Sequence, residues 1–191
     1  MQVRGKVKDK RAAILDAALT LVTQYGLHGI SMKMIAEKAN IAAGTIYVHF
    51  KNKEEMLASV YEMITGEINQ LVQARYTEQE SFKDNFIRIW REVLVAYIDD
   101  KRVPDFINQY AFVVDNQRSD AERLLGPVYT LLEQAQKEGI VKAIPIAGLI
   151  ALIHGPLTAL VRMSRNTTLL SGEFDVQVYA EACWDAIRLN K

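Results

Sequence analysis

Between Ser31 and Lys53 the chain gathers side chains suited to touching a polyanion and its bases. Thr45, Tyr47 and His49 bring a hydroxyl, a phenol and an imidazole, set among the small residues Ala43 and Gly44 and the short apolar Val48. Hydroxyl and imidazole groups hydrogen-bond base edges in a major groove, and small neighbours let a helix approach them closely. Lys53 offers a point charge to a phosphate, and Ser31 and Lys33 stand at the start of the preceding helix. No comparable gathering occurs elsewhere. His154 is alone in an apolar stretch, and Cys183 is the single cysteine. There is no nucleophile elbow, no phosphate loop and no His/Asp/Glu array with catalytic or ligand spacing. The sequence therefore predicts no catalytic residues, no metal and no cofactor, and so no enzyme.

These side chains need a scaffold, and the hydrophobic spacing predicts helices throughout. Ile14, Ala18, Leu21 and Tyr25 mark one face of a helix from about Lys8 to Tyr25, with Gly26 as its stop. Ser31 caps a short helix that turns Ile35, Ala36 and Ala39 inward, Asn40 breaks it, and a second short helix covers Ala43 to Phe50. Ile46 and Phe50 share the buried face of that second helix. Two short helices joined by a tight turn make a helix-turn-helix. Asn52 and Glu55 form a capping box at the head of a helix over 53–74. Further helices are expected at 80–99, 104–116, 119–138, 145–166 and 174–189, separated by Pro104, Gly139, Pro145 and Ser171-Gly172. The fold class is all-α, with about nine helices: a three-helix head over 1–52 and a helical body over 53–191.

Charge agrees with this division. Residues 1–56 hold nine Lys/Arg against five Asp/Glu, a net +4, and the rest hold fourteen against eighteen, a net −4. A basic head on an acidic body is the asymmetry of a chain that meets nucleic acid at one end. The charged start, Met1 to Arg11, has no apolar core of a signal peptide, so a cytoplasmic location is expected. From Ala143 to Val161 there are nineteen residues without Asp, Glu, Lys or Arg. Pro145, His154, Pro156 and Thr158 interrupt that stretch, which reads as a helix buried against its own core and a partner rather than a membrane span.

From Gly26 to Leu57 the chain resembles the TetR family of bacterial repressors, above all in Gly44-Thr45-Ile46-Tyr47-Val48-His49-Phe50-Lys51-Asn52-Lys53-Glu54-Glu55-Met56-Leu57. The resemblance implies a recognition helix with Ala43, Thr45, Tyr47, Val48 and His49 at the DNA, Lys53 on a phosphate, and Ser31 and Lys33 at the backbone or a flanking base. It departs in two places. Asn40 stands where the turn usually has Gly, and Asn accepts the left-handed conformation. Ala42 stands where a capping Ser or Thr is common, at a cost of about 1 kcal/mol.

The resemblance further implies a dimer on double-stranded operator DNA, released by a small-molecule effector. Phe86, Trp90, Tyr110, Tyr129, His154 and Met163 are the candidate lining of an effector pocket, with Arg88 and Arg162 as further polar anchors, and this lining points to a mostly apolar molecule. Gly148, Ala151, Gly155, Ala159, Val178 and Ala182 are small or short residues suited to a two-fold interface. The alternative function is a helical protein-binding or membrane-peripheral module without sequence-specific DNA binding. Salt-sensitive binding to a defined operator separates the two.

Overall fold

A computed structural model of the chain describes residues 3–114, 125–164 and 175–190. Nine helices lie among the described residues: α1 (Val3–Tyr25), α2 (Met32–Lys38), α3 (Ala43–His49), α4 (Lys53–Arg75), α5 (Phe82–Asp99), α6 (Arg102–Val114), α7 (Gly126–Lys137), α8 (Ile146–Met163) and α9 (Val176–Ile187). The all-α expectation holds. Residues 115–116, 119–124, 165–166 and 174, expected to be helical from sequence, lie outside the described residues.

The described chain falls into two compact units that divide inside helices, between Thr65 and Gly66 of α4 and between Pro104 and Asp105 of α6. In the first, α1 packs on α2 and α2 on α3. Its core takes Ile14, Ala18, Leu21 and Val22 from α1, Ile35 and Ala36 from α2, and Ile46 from α3 with Phe50 just after it. Tyr25 does not continue the buried face of α1 as the spacing predicts; it is 58% exposed. The helix ends there, and Gly26 at φ 74 turns the chain away before a neighbour covers the ring. The Arg11 guanidinium lies over the Phe50 ring, 5.1 Å from its centre, which ties α1 to the end of α3.

In the second unit α5, α8 and α9 pack on one another and α7 packs on α8. The buried face of α5 carries Ile87, Trp90, Val93, Leu94 and Tyr97, and Ala96 is exposed. Asn85 is buried on the same helix, a polar residue that the apolar pattern passes over. Its amide nitrogen donates to the carbonyls of Thr77, Glu80 and Ser81, and its oxygen accepts the Thr77 N–H at 2.9 Å. One side chain thus satisfies the turn that enters α5.

Two prolines sit inside helices, Pro104 where the sequence marks a break and Pro156 within the stretch expected to be helical. Asp100 accepts the Arg102 N–H at 3.0 Å, so α6 begins at Arg102 and Pro104 falls in its first turn, where an N–H is not needed. Pro156 lies within α8, which runs on through it. A proline there removes the helical partner of the Leu152 carbonyl. That carbonyl instead lies 3.6 Å from the Cys183 thiol of α9.

Candidate nucleic-acid interface

α2 and α3 are seven residues each. α2 starts where the Ser31 hydroxyl accepts the Met34 N–H at 3.3 Å, the cap expected from sequence. It ends at Asn40, which adopts φ 53 and bears out the tolerance of Asn for the left-handed turn. The Ile41 N–H then donates to the Ala36 carbonyl at 3.0 Å and closes the turn. α3 begins at Ala43, and Ala42 before it gives no side-chain cap, as a residue with no acceptor dictates.

Ile46 is wholly buried and Phe50 2% exposed, so one face of α3 is fixed in the core. The opposite face stands free. Ala43, Gly44, Tyr47 and Val48 are exposed, with Val48 at 81% and Tyr47 at 59%, and Thr45 and His49 are half-buried beside them. Ser31 and Lys33 are exposed on α2, and the Lys33 ammonium makes only a loose pair with Glu37 at 3.9 Å.

The first turn of α4 is bound tightly. Asn52 Oδ1 accepts the Glu55 N–H at 2.8 Å, and Glu55 Oε2 accepts the N–H of Lys51 at 2.7 Å. The capping box thus closes one residue earlier than its usual form. Lys53 is engaged in a way that its position in the sequence does not show: its ammonium donates to the carbonyls of Leu27 at 3.1 Å and Ile30 at 3.3 Å.

These geometries meet what is known of other chains. Residues 14–60 match the bacterial regulatory proteins of the tetR family, and residues 61–189 match the tetracyclin repressor-like C-terminal domain. The chain belongs to the TetR family. An uncharacterized HTH-type transcriptional regulator of Haemophilus influenzae is 26% identical over 139 residues, 72% of this chain and 74% of that one. The HTH-type transcriptional regulator AcrR of Shigella flexneri is 30% identical over 98 residues, 51% of this chain and 44% of its own length. The crystal structure of a TetR family transcription regulator from Marinobacter aquaeolei VT8 shares the fold, with TM-score 0.85 at 17% identity and full coverage of both chains. This TetR-family chain is therefore a helix-turn-helix transcriptional regulator, with α2 and α3 as the two short helices of the motif.

Its other candidate residues distribute as follows. Phe86 stands with its ring 5.5 Å from Trp184, and Trp90, 2% exposed, donates its indole N–H to the Ile153 carbonyl at 3.1 Å. His154 Nε2 is 3.2 Å from the Tyr97 hydroxyl, and burial pushes the imidazole down to about 4. Tyr129 and Met163 are half-buried in the same unit. Tyr110 belongs to the first unit, where its ring packs 5.2 Å from Tyr61 and 5.3 Å from Phe106. An open groove of about 590 Å³ along the outer face of α5, edged by Arg75, Arg88 and Arg91, has none of those six residues among its described lining. Of the small residues, Ala151, Gly155, Val178 and Ala182 are exposed and Gly148 and Ala159 half-buried on α8 and α9. Leu152 and Val178 are 41% and 58% exposed. α8 is the one described helix long and apolar enough to cross a membrane, at mean hydropathy 1.6.

Proposed function

We propose that two copies of this chain bind a palindromic operator in the cytoplasm and repress transcription until a small, mostly apolar effector releases them. The observation that carries the reading is the free face of α3. Val48, Tyr47, Ala43 and Gly44 project on the side opposite Ile46, with Thr45 and His49 at the flanks. A major groove admits such a helix and rewards the short side chains. Ser31 and Lys33 add contacts to the DNA backbone or a flanking base.

The exposed apolar stretch of α8 and α9 supports a pair. Ala151, Leu152, Gly155, Val178 and Ala182 leave an apolar surface that a second copy covers, with the exposed Glu181 and Asp185 of α9 beside it. The effector is assigned to the second unit, with Phe86, Tyr129 and Met163 as apolar lining and His154 and Tyr97 as a polar handle. Its naming as apolar rests on that lining alone. The groove beside Arg75, Arg88 and Arg91 is a less apolar alternative entry.

The test is sedimentation of the full chain on duplexes selected from a randomised pool. Selected sites are expected to be two-fold symmetric and to carry two chains each. Ala151→Glu, which places a charge on a surface open in the single chain, is expected to give folded monomers that bind those sites at least ten-fold more weakly. A wild type that binds asymmetric sites as a monomer contradicts the reading.

A further inference from the structure

A lysine is an odd residue for the first position of a helix. The helix dipole presents positive charge there, so a cation is disfavoured. α4 nevertheless begins at Lys53, with Glu54 and Glu55 behind it. Two of the three N–H donors of its ammonium are spent on the carbonyls of Leu27 and Ile30. Those carbonyls belong to the connection between α1 and α2, whose shape is set by close approach. A Cβ on Gly29 would lie 2.2 Å from the Tyr25 carbonyl oxygen, and Gly26 holds φ 74. Leu27 and Ile30 are themselves buried, so this connection is anchored in the core of the head.

The two hydrogen bonds span 23 and 26 residues of sequence. They close that stretch into a ring, and α2, the turn and α3 lie wholly inside it. We infer that Lys53 is a positioning residue, a latch that fixes the first turn of α4 to the α1–α2 connection and so holds the recognition helix in place before DNA arrives. Clipping both ends of a segment removes the freedom that binding would otherwise have to freeze out. Glu55 on the Lys51 N–H and Asn52 on the Glu55 N–H stiffen the join between α3 and the latch. Lys53 therefore acts on DNA through α3, with two of its three donors committed to the protein. This inference rests on the DNA-reading role proposed above.

The test follows the ammonium itself. In the full-length wild type, NMR scalar couplings across the hydrogen bonds are expected from Lys53 Nζ to the carbonyl carbons of Leu27 and Ile30. They are expected in the free protein and again with a duplex selected from a random pool. Couplings that vanish on binding and reappear to a phosphorus overturn the latch. Lys53→Met keeps the stem and removes the donors. It is expected to lower affinity for the selected duplex about ten-fold, with the slope of log affinity on log salt unchanged. A slope shallower by about one unit marks a lost phosphate contact and overturns the inference, as does unchanged affinity. If that variant does not fold, the couplings in the wild type decide alone. A wild type that binds no duplex defeats the DNA reading, while the couplings in the free protein still report on the latch.

Discussion

The thiol of Cys183 lies 3.6 Å from the carbonyl oxygen of Leu152, which is the carbonyl that Pro156 leaves without its helical donor. The contact joins α9 to α8 at the turn where the proline removes a backbone hydrogen bond. Cys183 is 4% exposed, and burial raises its thiol to about 11. At pH 8 the thiolate that alkylating reagents need is therefore scarce in the folded chain. Iodoacetamide is expected to spare the native protein and to label it rapidly in urea. Cys183→Ala should cost about 1–2 kcal/mol, from the lost contact and the small void. In a Pro156→Ala background, residue 156 regains an N–H for Leu152, and the cost of Cys183→Ala should shrink. Equal costs in both backgrounds would show that the thiol and the proline act independently.

Local rules made much of this legible in the sequence, because they involve residues within a turn of each other. Ser31 caps α2, Asn52 caps α4, Gly26 stops α1 and Asn40 takes the left-handed turn, each by chemistry visible in a few letters. The exposed face of α3 follows from Ile46 and Phe50 alone. What stayed hidden depends on distant chain. The partners of Lys53 lie 23 and 26 residues back, in a connection whose carbonyls converge only once Gly29 lets it close. Asn85 reads as one polar residue in an amphipathic helix until its three carbonyl partners are in place. Pro104 reads as a break because a proline allowed in a first turn and one ending a helix look alike until Asp100 caps α6. Trp90 and Tyr110 read as one aromatic set, since composition does not say that they belong to different units.

Two glycines should respond in opposite directions. Gly66 sits in the interior of α4, and a Cβ there would meet nothing within 4 Å. Gly66→Ala is expected to stabilise the chain by about 1 kcal/mol, since alanine is the better helix former. Gly26 holds φ 74 at the end of α1, so Gly26→Ala is expected to destabilise by about 1–2 kcal/mol. Urea unfolding midpoints at constant slope measure both. A destabilised Gly66→Ala would mean that α4 needs flexibility at that point.

Stability should also fall in acid through His154. Its imidazole drops from an ordinary value of 6.5 to about 4 because burial penalises the charged form. The unfolded chain thus binds a proton that the folded chain refuses between those two values. The contribution is whole above pH 6.5 and is lost progressively as pH falls toward 4, amounting at the acid end to roughly 3 kcal/mol. With its proton on Nδ1, neutral His154 accepts the Tyr97 hydroxyl, 3.2 Å away, at Nε2. Urea midpoints at pH 8, 6 and 5, compared between wild type and His154→Gln, are expected to converge as the pH falls. A difference that stays constant across that range would remove His154 as the acid-sensitive group.

The central claim is that the free face of α3 reads bases, and the direct measurement is the base-preference profile of the full chain on a randomised duplex pool. Thr45 is half-exposed beside Val48 on a helix whose other face is locked by Ile46, so Thr45→Ala leaves the fold untouched and changes one reading group. Wild type and Thr45→Ala are predicted to differ at one pair of two-fold related base positions, with a discrimination change of about 1–3 kcal/mol there. Their salt slopes are predicted to be the same, because no phosphate contact is lost. Identical profiles for Thr45→Ala and for Val48→Ala, at unchanged affinity, would contradict the account and place DNA recognition elsewhere on the chain.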